Sequence, residues 1–288
     1  MLHQDDMSFW DHLEELRWTL FRSVLALFFF AIFMFGFMRG ENGIFDFFVL
    51  APTRGDFITY RIFCTLGGYL GVISDFCDES FRIEIFNIKM ASQFFTHMTT
   101  SFWLSLVLAF PYLMYEVWKF ISPALYENEK TNVRWVFMFG TIMFFLGCAV
   151  GYFAVFPVTL RFLATYQISE AITEQVSLES YMDNFLMLIF IMGVVFEMPL
   201  LSWLLSKIGL LNRSFFNTYR RHAIVALLVA AAFITPSGDP FTLSLVFIPL
   251  YGLYEISALF VRPAPIEEEA DDDDDNYYYE EAEMSNNP

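Results

Sequence analysis

Six long stretches with few or no charged residues divide this chain, and they constrain its fold more than any other feature. A hydrocarbon core about 30 Å thick is crossed by about 20 mostly apolar helical residues. Residues 18–38 meet that need with only Arg22 inside, near the start, where a long side chain can snorkel to the headgroups. Residues 91–115 and 135–160 carry no Asp, Glu, Lys or Arg, and 184–206 carries a single acid, Glu197. The last two, 222–234 and 241–261, are shorter, with Glu255 near the end of the second. Lipid leaves backbone polar groups no water, so such segments are helices. The expected fold is an all-α integral membrane protein of six transmembrane helices, the fifth and sixth short.

Composition agrees. At 57% hydrophobic and 20% aromatic, with 37 Phe among 288 residues, the chain is too apolar for a soluble fold. The formal charge of −17 looks like that of an acidic soluble protein, yet residues 267–283 alone hold eleven acids and no base. The extreme acidity therefore belongs to a tail, 263–288, whose like charges keep it solvated and disordered. Residues 1–262 form the membrane domain. Neither part offers the basic face that nucleic acid requires. Three Cys without CxxC spacing and four scattered His give no zinc site, and no cofactor is implied. The first apolar run follows an acidic segment and lacks a small-residue cleavage site, so it reads as a retained span rather than a signal peptide.

Lys and Arg set the orientation, because positive loops stay cytoplasmic. Ten fall on one side: Arg17, Arg22, Lys119, Lys130, Arg134, Lys207, Arg213, Arg220, Arg221 and Arg262. Six fall on the other, five of them in one long acidic loop. Both termini are expected to be cytoplasmic. That long outer loop, 39–90, is aromatic and β-branched enough for a partly ordered cap. It holds Cys64 and Cys77, for which a disulfide and two buried thiols are equally consistent readings. Cys148, within the third span, reads as a packing residue. Gly147 and Gly151 make a small-xxx-small pair through which a neighbouring helix can approach closely.

Three places could carry chemistry. Residues 8–17 form a capping box, Ser8 with Asp11, and predict a helix on the membrane surface. Leu13, Leu16 and Leu20 share one stripe while His12 and Glu15 share another, which holds Glu15 at headgroup level; spacing alone favours an interfacial helix with ordinary solvated acids. After the second span, Ser122 and Pro123 are expected to restart a helix that carries Glu127 and Glu129. Trp118, Phe120 and Tyr126 surround those acids, an arrangement suited to a positively charged peptide. The third place is Glu197, followed two residues later by Pro199. An intramembrane carboxylate costs at least about 2.5 kcal/mol to insert and is by default a functional hypothesis. Pro199 cannot donate to the carbonyl of Val195, so a kink is expected beside it. A protonated Glu197 that merely bonds a neighbouring helix is the competing reading.

Taken in order, these residues resemble the TatC family, the multispanning core subunit of the twin-arginine protein translocase. The resemblance covers the chain up to Val261. It rests on His12-Leu13-Glu14-Glu15-Leu16-Arg17, on the run from Val117 to Leu125 followed by Glu129-Lys130, and on Tyr152-Phe153 with Phe156-Pro157. Phe196-Glu197-Met198-Pro199, Thr235-Pro236, Ile248-Pro249-Leu250-Tyr251 and Tyr254-Glu255-Ile256 complete it. The resemblance implies a concave wall of helices in the bacterial inner membrane, and export of folded proteins driven by the proton gradient. It assigns signal-peptide binding to Glu15 and Glu129, with Phe120 and Tyr126 lining the same patch and His12, Leu16 and Arg17 supporting it. Guanidinium presents a planar fork matched to carboxylate, which ammonium cannot copy. Glu197 would meet the deeper part of the signal peptide or a partner helix. Pro52 matches a structural proline of the outer loop. Implied partners are twin-arginine signal peptides, small single-span TatA/TatB-type subunits, other copies of the chain and the lipid bilayer.

This sequence departs from the family in the hairpin from Pro236 to Pro240, which is longer than the common form, and at Leu243, where some members place Gln. Thr235 and Glu255 are the residues left for partner docking. The short fifth helix implies a thinned bilayer beside it. A proton-coupled secondary transporter using Glu197 is the rival reading, weakened by the lack of an internal repeat. Without Ser/His pairing, HExxH, twin intramembrane Asp or a P-loop, no enzyme is expected.

Overall fold

The computed structural model describes residues 9–38, 44–70, 82–122, 127–166, 169, 175–207, 209–235 and 238–261. Ser8, Cys77, Pro123, Tyr126, Pro236 and the acidic tail lie outside the described residues. Five helical segments are long and apolar enough to cross a membrane: Leu13–Phe37, Ser92–Ile121, Trp135–Thr165, Leu178–Lys207 and Pro240–Phe260.

Helix α1 (Phe9–Phe37) is one unbroken helix of 29 residues. The surface helix expected over 8–17 and the first span are thus continuous. At about 1.5 Å per residue α1 is about 44 Å long, enough to cross the core and carry Glu15 out to the headgroups. After α1 the outer loop folds locally: a π-turn over Phe45–Val49, a 3-10 turn over Ala51–Thr53, helix α2 (Ile58–Leu70) and strand β1 (Ile85–Phe86). Several carbonyls of these turns accept from tyrosine hydroxyls. Tyr152 and Tyr181 donate to the carbonyls of Phe48 and Val49 at 2.8 and 2.5 Å. Tyr60 donates to the carbonyls of Pro52 at 2.9 Å and Pro157 at 3.2 Å. Burial pushes the Tyr60 phenol well above the usual tyrosine range, against the Arg161 guanidinium 5.0 Å from its ring, so it stays a donor. Cys64 is disulfide-bonded and Cys148 is a buried free thiol.

Helix α3 (Ser92–Ile121) returns along α1. Ser122 caps its C-terminal end, its N–H donating to the carbonyl of Trp118; the expected restart through Pro123 lies outside the described residues. Helix α4 (Glu127–Val150) leads through a π-turn at Gly151–Val155 into α5 (Phe156–Thr165). Pro157 cannot donate to the carbonyl of Phe153 four residues back, and the Thr59 hydroxyl of α2 does so instead at 2.5 Å. Strand β2 (Val176–Ser177) pairs in parallel with β1, Ile85 against Val176, and ties the loop before α3 to the loop before α6.

Helix α6 (Leu178–Val195), capped by Ser177, and α7 (Met198–Lys207) make the fourth span, interrupted at Phe196 and Glu197. The neighbour admitted by the glycines of α4 is α6. A Cβ at Gly147 would meet the Met192 carbonyl at 2.5 Å, and one at Gly151 would meet Ile189 Cα at 3.0 Å. Short α8 (Arg213–Thr218) leads to α9 (Arg220–Ile234), 15 residues, and α10 (Pro240–Phe260), 21 residues, opened by Asp239 bonding the Thr242 N–H at 2.7 Å. Both are shorter than the spans of 25 to 31 residues before them. The main core lies among α4, α5, α6 and the outer turns, around Phe144, Phe156, Phe185, Leu188 and Met192.

Candidate functional sites

The faces of α1 follow from helical spacing. Leu13, Leu16, Leu20, Phe21, Phe28, Phe29, Ile32 and Phe33 are exposed, as lipid-facing residues are in a chain seen without its membrane. The less exposed positions run 15, 19, 22–23, 26–27, 30–31 and 34, one stripe turned toward α3. Glu15 heads that stripe and is half-buried, while Leu16 and Arg17 are exposed beside it. Phe120, half-buried, lies in the last turn of α3, and Glu129 belongs to the first turn of α4. The elements bearing Glu15, Phe120 and Glu129 thus meet at one end of the bundle, α3 packing against both α1 and α4. The side chains of His12 and Glu129, and all of Tyr126, lie outside the described residues.

Directly below is a carboxylate that sequence reasoning missed. Glu116 on α3 is only 3% exposed. It accepts from Arg22 Nε at 3.1 Å, with Nη2 at ion-pair distance, 3.1 Å, from the same oxygen, and from the Tyr112 hydroxyl at 2.8 Å, while Arg22 Nη2 donates to Thr19 Oγ1 at 3.3 Å. Arg22 therefore does not merely snorkel. It pairs across to α3. The only signal in sequence is Tyr112 four residues before Glu116, a spacing that puts both on one face.

Glu197 sits at the break between α6 and α7. Pro199 has no N–H for Val195, and the Glu197 N–H turns to Val194 at 3.1 Å. The side chain is 7% exposed, and neither carboxylate oxygen has a hydrogen-bond partner among the described residues. Gly140 on α4 opens the space: a Cβ there would lie 2.9 Å from Glu197 Oε2 and 3.1 Å from Met114 Cε. Pro199 and Gly140 together hold a carboxyl where α4 and α7 meet.

A second network closes α9 against α10. Glu255 accepts from Arg220 at 2.8 Å and from Tyr251 at 2.6 Å, repeating the Tyr-xxx-Glu spacing of Tyr112 and Glu116. Thr235 is buried, and its hydroxyl bonds back to the carbonyl of Ala231 at 2.9 Å.

A helical protein with five membrane-length helices, a broken fourth span and a short helix before the last one belongs to the class of multispanning membrane proteins. The profile described as Sec-independent protein translocase protein (TatC) matches residues 11–249. The chain belongs to the TatC family and is a protein translocase subunit of the Sec-independent Tat pathway. It is 38% identical to the Sec-independent protein translocase protein TatC of Blattabacterium sp. subsp. Periplaneta americana over 255 residues, 88% of this chain and 94% of that one. It is 35% identical to TatC of Escherichia coli K12 over 173 residues, 60% and 66% of the two chains. The crystal structure of the twin-arginine translocase receptor TatC superposes with a TM-score of 0.66 at 27% identity, covering 86% of this chain and 97% of that one. The same receptor crystallised in DDM gives 0.67 at 28% identity, covering 87% and 99%. Membership of this family displaces the secondary-transporter reading.

Proposed function

We propose that this chain is the receptor and assembly core of a twin-arginine translocase in the bacterial inner membrane, with both termini cytoplasmic. It takes the paired arginines of signal peptides on Glu15 and Glu129, with Phe120 and Tyr126 alongside and His12, Leu16 and Arg17 supporting. It recruits single-span partners at the α9–α10 flank, around Thr235 and Glu255, and associates with other copies of itself. Transport of folded proteins draws on the proton-motive force, with no catalytic chemistry in this chain. Glu197 serves the deeper part of the signal peptide or a partner helix.

The observation that carries this reading is the placement of Glu15. A half-buried carboxylate on the protein-facing stripe of α1, at the end where α4 begins its Glu129 turn, keeps a charge available at a membrane surface. A solvated acid would sit on the exposed stripe instead. The test is site-specific crosslinking from positions 15 and 129 to a signal peptide bearing Arg-Arg or Lys-Lys. Preferential crosslinking of Arg-Arg that weakens as salt rises supports the assignment. Equal crosslinking of both peptides, unaffected by Glu15→Ala or Glu129→Ala, overturns it.

A further inference from the structure

Helix α1 is attached to the rest of the molecule along one side. Its packing is against α3, and within it only Thr19 and Met34 are buried among the residues described. Its remaining surface is mostly Phe, Leu, Val and Ile exposed to lipid. Lipid tails are as apolar as those side chains, so no hydrophobic force presses α1 onto α3. Its position along and around α3 is set by close packing and by polar contacts between the two helices.

Among the described residues those contacts are few, one near the C-terminal end of α1 and one at its middle. Away from Glu15, His97 of α3 stacks on Phe35 at 4.1 Å and its Nε2 lies 3.1 Å from the Phe35 carbonyl. Toward Glu15 stands the Arg22–Glu116 pair, with Tyr112 and Thr19 completing its hydrogen bonds. The geometry is specific. Two guanidinium nitrogens converge on one oxygen of Glu116, and the Tyr112 hydroxyl takes the other. A shift of α1 by one residue, about 1.5 Å in rise and 100° in rotation, would break all of these contacts.

Glu15 lies seven residues before Arg22, two turns up the same stripe. Phe120 lies four residues after Glu116, one turn up α3. We infer that the Arg22–Glu116 ion pair is a positioning pair that fixes the register of α1 on α3 and so sets Glu15 against the end of α3, where the arginines of a signal peptide are read. This inference rests on the proposed role of Glu15. The buried carboxylate is not itself a peptide site, because its oxygens are already occupied by Arg22 and Tyr112. The planar guanidinium reaches Glu116 through Nε and Thr19 through Nη2 at once, a geometry that a point-charge ammonium at position 22 does not copy.

The test uses the full-length protein in lipid nanodiscs and a fluorescent signal peptide in Arg-Arg and Lys-Lys forms, with Kd and the number of binding sites measured separately. Glu116→Gln and Arg22→Lys are each expected to raise the Kd for Arg-Arg about tenfold, narrowing the preference over Lys-Lys while the number of sites holds. Tyr112→Phe, which removes one hydroxyl and no charge, is expected to give a smaller shift in the same direction. The reversed pair, Arg22→Glu with Glu116→Arg, is expected to recover the Arg-Arg preference. A fall in the number of sites at constant Kd in Glu116→Gln, Arg22→Lys and Tyr112→Phe alike overturns the inference and leaves the pair a purely structural tie. Unchanged Kd in those variants, with Glu15→Gln weakened, also overturns it and leaves the receptor reading intact. Unchanged Kd in Glu15→Gln removes the reading beneath it, and the inference with it.

Discussion

Gly140 of α4 makes the room that the Glu197 carboxylate occupies: a Cβ at 140 would stand 2.9 Å from Glu197 Oε2 and 2.5 Å from Leu200 Cδ2. The site is therefore built by two residues that supply nothing chemical, a glycine that vacates space and a proline that withholds a donor.

Three substitutions rank this packing. Gly147→Ala drives a methyl into the Met192 carbonyl, which is backbone, whereas Gly140→Ala meets the ends of the Leu200 and Met114 side chains, which can turn aside. Overpacking costs about 1–3 kcal/mol. Gly147→Ala is expected near the top of that range and Gly140→Ala below it. Gly36→Ala, with nothing within 4 Å, is expected to be neutral or slightly stabilising. Thermal unfolding in detergent reads all three, and a Gly36→Ala loss as large as that of Gly147→Ala would contradict the packing described.

Glu197→Leu separates stability from function. A buried carboxyl without a partner among the described residues is a cost that Leu does not bear. Removing it is expected to stabilise the protein by about 1–3 kcal/mol while lowering transport. If transport is retained in a stabilised Glu197→Leu protein, the carboxylate has no functional part.

The two Tyr-xxx-Glu networks are alike in pattern and unlike in environment. Glu255 and Arg220 are both about a third exposed or more, so Glu255→Ala is expected to cost only about 0.2–1 kcal/mol. Glu116 is nearly fully buried, and Glu116→Ala also leaves the Tyr112 hydroxyl without its acceptor; a loss of about 1–3 kcal/mol is expected. Chemical denaturation of the two variants in one detergent checks the order, which is the falsifiable part.

Helix α9, at 15 residues, is about 22 Å long, well short of a hydrocarbon core of about 30 Å. Inserting one apolar turn is expected to reduce transport sharply while the protein still inserts, because it would remove the thinned flank proposed for partner assembly. Transport at the parental rate from the lengthened, correctly inserted protein would refute this.

The spans were legible because charge is expelled from lipid: where Asp, Glu, Lys and Arg are missing over 20 residues, a helix follows. The break at Glu197 was legible because Pro199 acts on its own carbonyl four residues back, a local effect. Glu116 was not. Its meaning depends on Arg22, 94 residues earlier, and only the packing of α1 on α3 brings the two together. Position 22 reads as a snorkelling arginine because sequence shows depth in the membrane but not which neighbour waits at that depth. The outer loop was opaque for the same reason. Its turns are held by Tyr60, Tyr152 and Tyr181 reaching carbonyls up to 132 residues away, and no local pattern announces such bonds.

The pairing of β1 with β2 contributes four residues to the sheet, but it joins the strands that precede α3 and α6. With Tyr60, Tyr152 and Tyr181 bonded into the outer turns beside it, that rim of the protein is riveted. The opposite rim, where α1, α3 and α4 carry their acids, has no such sheet among the described residues. The fastening of the described residues is thus uneven: backbone pairing and tyrosine bonds at one rim, side-chain ion pairing toward the other.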